Sequence, residues 1–502
     1  MKRNLIYCVI AASLLSVSCG EDFLDPQRDT SILTNIDFAE NADSNPALVT
    51  GTLDGIYSYM IEDRSVTTNH YDFGQKGVDI WMDIVSGDMA LAASAYGWYD
   101  NTANLLTTVD YTRTENRVIW QYYYKVINIS NTVIESLGGN DAIPETPETR
   151  YTMGQAKALR AYAYFYLAQL FQRGYNADQA ILPYYDGDND NPAKVPASQI
   201  YALIISDLDT SIQLLDGYSR DAKHKINKSV AQGLLAYTYA AMGNYQGARE
   251  VSDAIITTGG FPLTTRAQLA FPGAGSGFNN ANTASWMWGY DLTESMGQQL
   301  INWWGQVDFY TYSYAWAGDN KAIDSALFAQ IPAADIRKSQ FPTTPPLGSE
   351  DAVPLMPLNK FFDTARQPGV QYIISTDYIF MRVDEFYLLS AEAAAKTGDE
   401  AAAKARLVEL LSSRYPTPAA AQDYVNTLSG QALIDAIYLQ TRIEFWGEGK
   451  SYLALKRNRA TVTRGTNHIF RPGQTFTYSQ DELSFQIPQV EINNNPAITE
   501  QN

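Results

Sequence analysis

Ala236-Tyr237-Thr238-Tyr239-Ala240-Ala241-Met242-Gly243-Asn244-Tyr245-Gln246-Gly247-Ala248 places a small residue seven positions before Gly243 and another five after it. Ala391, Gly398 and Ala403 repeat that spacing. Small residues at these positions let two helices approach closely, and the glycine turns the corner between them, as in a tetratricopeptide hairpin. Outward from these two hairpins, apolar residues at helical spacing predict helices over 46–61, 115–137, 149–171, 198–215, 228–242 and 245–257. Others are predicted over 380–396, 401–411, 431–446 and 449–456. The ring-rich run Arg160-Ala161-Tyr162-Ala163-Tyr164-Phe165-Tyr166 reads as packing within the same stack.

From about 259 to 369 the helical pattern lapses into Pro, Gly and Ser clusters such as Phe271-Pro272-Gly273 and Thr343-Thr344-Pro345-Pro346. An irregular stretch of this length is usually functional or disordered, and its ring content argues against disorder. Five of the nine tryptophans fall within it: Trp286, Trp288, Trp303, Trp304 and Trp316. The expected architecture is a helical scaffold that carries loops.

The chain opens Met1-Lys2-Arg3-Asn4 and continues with an apolar run from Leu5 to Val17. A basic start and a hydrophobic segment too short to span a bilayer read as a secretory signal over residues 1–18. Leu15-Ser16-Val17-Ser18-Cys19-Gly20 resembles a bacterial lipobox, with leucine four residues before the cysteine instead of three. Cys8 leaves with the signal, so the mature chain keeps one thiol and forms no internal disulfide. Acylation of Cys19 would occupy that thiol and anchor a soluble body through a tether over residues 19–45. Glu21-Asp22 resembles the signal that sends some lipoproteins to the outer face.

The 502 residues, 45% of them hydrophobic, suffice for a large core. Lys and Arg number 36 against 55 Asp and Glu, for a formal charge of −19, which disfavours nucleic acid and anionic lipid as partners. Neutral ligands fit better, given 34 Tyr and 9 Trp with their apolar faces and polar tips.

An oligosaccharide needs exposed rings for stacking, and amides or carboxylates for its hydroxyls. Trp98-Tyr99-Asp100-Asn101 supplies both, and two adjacent rings cannot share one core-facing side of a helix, so at least one of Trp98 and Tyr99 is expected at the surface. Asn302-Trp303-Trp304-Gly305-Gln306 is the other such segment. After it come Tyr310, Tyr312, Tyr314 and Trp316, which project to one side if extended. That row is either a binding strip or a sheet face buried against the helices, with burial favoured for most of its rings. Trp81, Trp286 and Trp288 read as core, and Asp79, Asp83 and Asp88 as rim acceptors. The ligand-binding residues expected are therefore Trp98, Tyr99, Asn101, Trp303, Trp304, Tyr312, Trp316 and Asp83.

Asp186, Asp188 and Asp190 have the opening spacing of a calcium loop but lack the glycine at the sixth position, and Ala197 stands in place of its glutamate. His70, His224 and His468 lie far apart without a cysteine partner, so no metal site is expected. Neither a phosphate loop around Gly273, Gly275 and Gly277 nor a nucleophile elbow at Ser276 is formed.

Four segments together are similar to SusD/RagB-family outer-membrane nutrient-binding lipoproteins. They are Cys19-Gly20-Glu21-Asp22-Phe23-Leu24-Asp25; Ala158-Leu159-Arg160-Ala161-Tyr162-Ala163-Tyr164; Arg382-Val383-Asp384-Glu385-Phe386-Tyr387 running on to Ala393, with Arg442-Ile443-Glu444-Phe445-Trp446-Gly447-Glu448-Gly449 after it; and Phe485-Gln486-Ile487-Pro488 running on to Pro496. Trp446 and Lys450 stand where that family more often shows Phe or Leu and Arg. The resemblance implies a mostly α, SusD-like fold of tetratricopeptide-like hairpins with a loop-rich ligand-binding face. The body over 46–502 would comprise a helical scaffold (about 46–258 and 370–460) and a loop-rich insertion (about 259–369). It also implies no enzymatic activity and no cofactor. The role implied is oligosaccharide capture at the cell surface and delivery to a SusC-like TonB-dependent transporter, from a lipid anchor in the outer membrane. A glycoside hydrolase, which needs two carboxylates roughly 5–10 Å apart, and a purely structural adaptor of the transporter complex are the alternatives.

Overall fold

The computed structural model describes residues 46–186 and 191–502, and in it helices dominate. Those of eight residues or more are α1 (Pro46–Tyr59), α2 (Gln75–Val85), α3 (Thr114–Ser136), α4 (Pro147–Phe171), α5 (Ala197–Leu214), α6 (Lys228–Met242) and α7 (Tyr245–Thr258). After a long turn-rich stretch come α8 (Asp384–Lys396), α9 (Glu400–Leu411), α10 (Pro418–Asn426), α11 (Gly430–Glu444) and α12 (Lys450–Arg457). Cys19 and the tether lie outside the described residues, as do Asp188 and Asp190.

The two Ala-Gly-Ala spacings form the hairpins α6–α7 and α8–α9. Gly243 and Gly398 turn between the helices with φ of +79° and +86°, the left-handed conformation that glycine adopts without a Cβ penalty. Directly after each turn a polar side chain caps the second helix: Asn244 accepts from Gly247 N at 3.1 Å, and Asp399 from Ala402 N at 3.1 Å. Ala236, Ala248, Ala391 and Ala403 are buried where the helices meet. Neighbouring helices pack in chain order from α3 to α9, with α7 against α8 joining the two hairpins across the intervening loops. Arg160 fastens α4 to α5 by a bidentate pair with Asp207, at 2.7 and 2.8 Å. Tyr162, Tyr164 and Tyr166 are buried in this stack.

Among the described residues the strands are short antiparallel pairs. Along the chain they are β1 (Met89–Leu91), β2 (Ala180–Pro183), β3 (Lys194–Pro196), β4 (Trp286–Tyr290), β5 (Lys321–Ile323), β6 (Tyr378–Arg382), β7 (Thr461–Thr463) and β8 (Thr475–Thr477). β1 pairs with β5, Met89 opposite Ile323, and β4 with β6, Trp286 opposite Arg382. Both pairs fasten the turn-rich stretch to the scaffold. The helix expected from 380 begins only at Asp384, because Phe380, Met381 and Arg382 belong to β6. At the end of β6 a buried ionic cluster gathers distant segments. Glu444 accepts from Arg382 at 2.7 Å, Arg337 at 2.9 Å and Arg414 at 2.5 Å, while Glu448 accepts from Arg382 and Lys360, each at 2.9 Å.

Candidate functional site

Asn302 caps a short helix, Trp303–Val307, by accepting from Gly305 N at 2.8 Å. That helix turns both of its rings inward. Trp303 and Trp304 meet edge to face at 5.1 Å and pack on Phe361, and Lys76 Nζ lies 4.8 Å from the Trp303 ring centroid. With 2% and 0% exposure they offer no face to a ligand. These two expected ligand residues are core because both sides of the helix are covered.

Asp308 follows, and its buried carboxylate accepts from Tyr310 N (3.0 Å), Thr311 Oγ1 (2.9 Å) and Asp363 N (3.0 Å). Burial pushes this carboxyl up to about 7. The bonds hold residues 308–311 against a second loop, where Thr311 bridges Gln371 and Tyr312 N donates to Gln371 O at 2.9 Å. Beyond this point the chain turns instead of extending, so the four alternate rings divide. Tyr310 and Tyr314 are buried, Trp316 is half-buried, and Tyr312 is 42% exposed.

Tyr312 packs against Trp316 at 5.7 Å and against Tyr372, itself 53% exposed, at 5.4 Å. Trp316 is fixed from behind. Its Nε1 donates to Gly348 O at 3.2 Å, and Gly369, with φ of +63°, lies so close that a Cβ there would meet the ring at 2.5 Å. Leu347, Val370 and Ile373 are exposed beside these rings. The result is an aromatic and apolar surface patch on three turns, of the sort that marks an interaction site.

A second group of rings adjoins the same turn-rich segment. Tyr96 N donates to Asp319 Oδ1 at 2.7 Å, which seats the loop 94–98 against residues 314–319. Trp98 is half-buried and stacks on His70 at 4.5 Å, with the Tyr314 edge at 6.1 Å. Tyr96 is 59% exposed and meets Tyr314 at 5.2 Å. Tyr99 points the other way, into the core, where Lys321 Nζ lies 4.6 Å from its ring centroid. Asn101 is half-buried and donates to Glu115 at 3.2 Å. Asp83 is not a rim acceptor. It sits inside α2, which is buried at every residue, accepts from Gly449 N at 3.2 Å, and is raised well above the usual carboxylate range by burial.

Of the expected ligand residues, the structure therefore keeps Trp98, Asn101, Tyr312 and Trp316 partly open to solvent, and encloses Tyr99, Trp303, Trp304 and Asp83. Sequence reasoning missed Tyr96 and Tyr372. Tyr96 stands directly before Gly97 and two residues before Trp98, a turn signal beside a ring already singled out. Tyr372 carries no local signal, since only the bridge to Thr311 brings it beside Tyr312.

Among the described residues no group of His, Cys, Asp and Glu could hold a metal ion, and no helix is long and apolar enough to cross a membrane. Two family models match the chain: the SusD family over residues 349–502, and a family described as starch-binding associating with outer membrane over residues 22–240. No curated protein matches. Among solved structures, a SusD-like carbohydrate binding protein from Bacteroides vulgatus superposes with a TM-score of 0.73 at 23% identity, covering 90% of this chain and 96% of its own. A putative sugar binding protein from the same organism gives 0.71 at 23% identity, over 91% and 98% of the two chains. Surface glycan-binding protein A from Bacteroides thetaiotaomicron gives 0.66 at 15% identity, over 91% and 98%. These likenesses fix the fold, and together with the two family models, each of which matches less than half of the sequence, they mark the chain as a SusD-like protein.

Proposed function

We propose that the protein binds oligosaccharide on the platform of Tyr312, Trp316 and Tyr372, extended by Tyr96 and Trp98, and does not cleave it. The observation that carries this reading is a set of rings open to solvent but fixed from behind by Gly369, the Gly348 carbonyl and the Gln371 backbone. The C–H faces of a pyranose stack on such rings, and pre-fixed rings lose little freedom on binding. Asn101, its amide nitrogen bonded to Glu115, would meet a ligand through its oxygen. Among the carboxyls raised by burial, Asp83, Asp308 and Asp377 are enclosed and bonded to backbone N–H groups, a structural use rather than that of an acid at a glycosidic oxygen.

The captured ligand passes to a SusC-like TonB-dependent transporter, beside which acylated Cys19 holds the body on the exterior of the outer membrane. Support comes from the match to a family described as associating with that membrane, and from relatives in fold whose names record carbohydrate and glycan binding. Isothermal titration against a panel of soluble oligosaccharides tests the binding step. Trp316→Ala and Tyr312→Ala are each expected to weaken binding about tenfold, the loss of one stacking partner at about 1–1.5 kcal/mol. Unchanged affinity in both would remove the platform from the site, and release of reducing ends by the pure protein would replace binding with hydrolysis.

A further inference from the structure

The loop between α1 and α2 borders a second concavity, a cleft of about 560 Å³ between that loop, α3 and the chain around Pro183 and Tyr185. This volume lies within the roughly 300–1,000 Å³ typical of small-ligand sites. Its apolar lining comes from Tyr59, stacked on Tyr122 at 5.5 Å, and from Tyr124, which rests on Trp120 at 4.8 Å. The polar tips are already engaged: Tyr124 Oη donates to Pro183 O at 3.0 Å, and Trp120 Nε1 to Glu491 Oε2 at 3.3 Å. What these residues offer a ligand is ring surface held in place.

Along the same wall α3 presents Gln121, Lys125 and Asn128, at the spacing that puts three side chains on one helix stripe. All three are exposed, and none has a side-chain partner among the described residues. Two amides and an ammonium provide both donors and acceptors for the hydroxyls of a sugar, beside the rings that would take its C–H faces. A polyanion fits poorly, because the single lysine shares the cleft with the Glu491 carboxylate.

We propose that this cleft is a second saccharide site, one that takes a short neutral sugar independently of the aromatic platform. The proposal rests on the reading of the protein as a glycan binder and adds a site to it. The probes are maltose, cellobiose, xylobiose, mannobiose and lactose, observed by saturation-transfer NMR on the full chain. The proteins are wild type, a platform variant (Tyr312→Ala with Trp316→Ala), and the platform variant carrying Gln121→Ala and Asn128→Ala as well. The added changes touch exposed side chains that have no partner among the described residues, so the melting temperature should hold. The expected result is transfer to at least one disaccharide that persists in the platform variant and falls at least fivefold when the cleft is altered. A signal that survives the cleft substitutions overturns the proposal. So does a platform variant that is silent where wild type responds, and in that case the glycan-binding reading stands. Wild type silent toward every probe overturns the second site, while the platform is judged separately by titration against longer oligosaccharides.

Discussion

Asp308 fixes the turn from which the platform rings project, and it does so as a carboxyl that burial has moved from its ordinary 3.8 up to about 7. A folded value above the unfolded one means that the folded state holds an extra proton between the two. Stability from this group is therefore present in full below about pH 4 and is lost as pH rises toward 7. Asp308→Asn removes the titration. The unfolding free energy of wild type relative to this variant should fall between pH 4 and pH 7, by at most about 4 kcal/mol. Urea melts at the two values measure it, and parallel profiles would clear Asp308. At this scale little of the site was legible. Trp303, Trp304 and Trp316 are the same residue type in one segment. What separates them is the capped helix that buries the first two and the glycine that props the third at the surface, and both depend on contacts with distant chain. The adjacent pair Trp98 and Tyr99 was legible in part, since neighbouring rings must diverge, although which one faces out was set by Lys321 beneath Tyr99 and His70 beside Trp98.

α11 ends on Glu444, and this one carboxylate meets guanidiniums from β6, from the turn after α9 and from the loop region at Arg337. Against the upward push of burial, the three arginines hold it well below the usual carboxylate range. Glu444→Gln keeps the shape but leaves buried positive charges without their counter-ion. It is expected to destabilise the protein by about 3–5 kcal/mol, read as a lower denaturant midpoint. A midpoint near wild type would show that the remaining carboxylates suffice: Glu448, Asp384, which pairs with Arg382 and Arg414, and Asp335, which pairs with Arg337. Apart from the start of α8, the helices of the stack were legible to within about two residues from apolar residues at helical spacing, α4 included although every residue from 152 to 171 is buried. α2 was not read, although Gln75, Lys76, Asp79 and Asp83 recur at helical spacing; that polar stripe is itself buried and marks no solvent-facing side. β6 read as the start of a helix because its partner β4 lies some ninety residues earlier, beyond any local pattern.

For the whole molecule, the acidic balance and the ring content of the sequence point to a neutral ligand, and the hairpin spacing points to the stack. The placement at the membrane depends on residues outside the described chain. Cys19→Ala is expected to leave the body folded yet shift it from the outer-membrane fraction to the soluble fraction of the cell. Retention of the variant in the membrane, measured by fractionation and immunoblot, would show that something other than acylation holds it there. The β1–β5 and β4–β6 pairs and the ionic cluster clamp the turn-rich segment, while Tyr312, Trp316 and Tyr372 stand on turns between the clamps. If those rings hold the ligand, as proposed, exchanging a few residues on the turns retunes what is bound while the same clamped chassis is passed on unchanged.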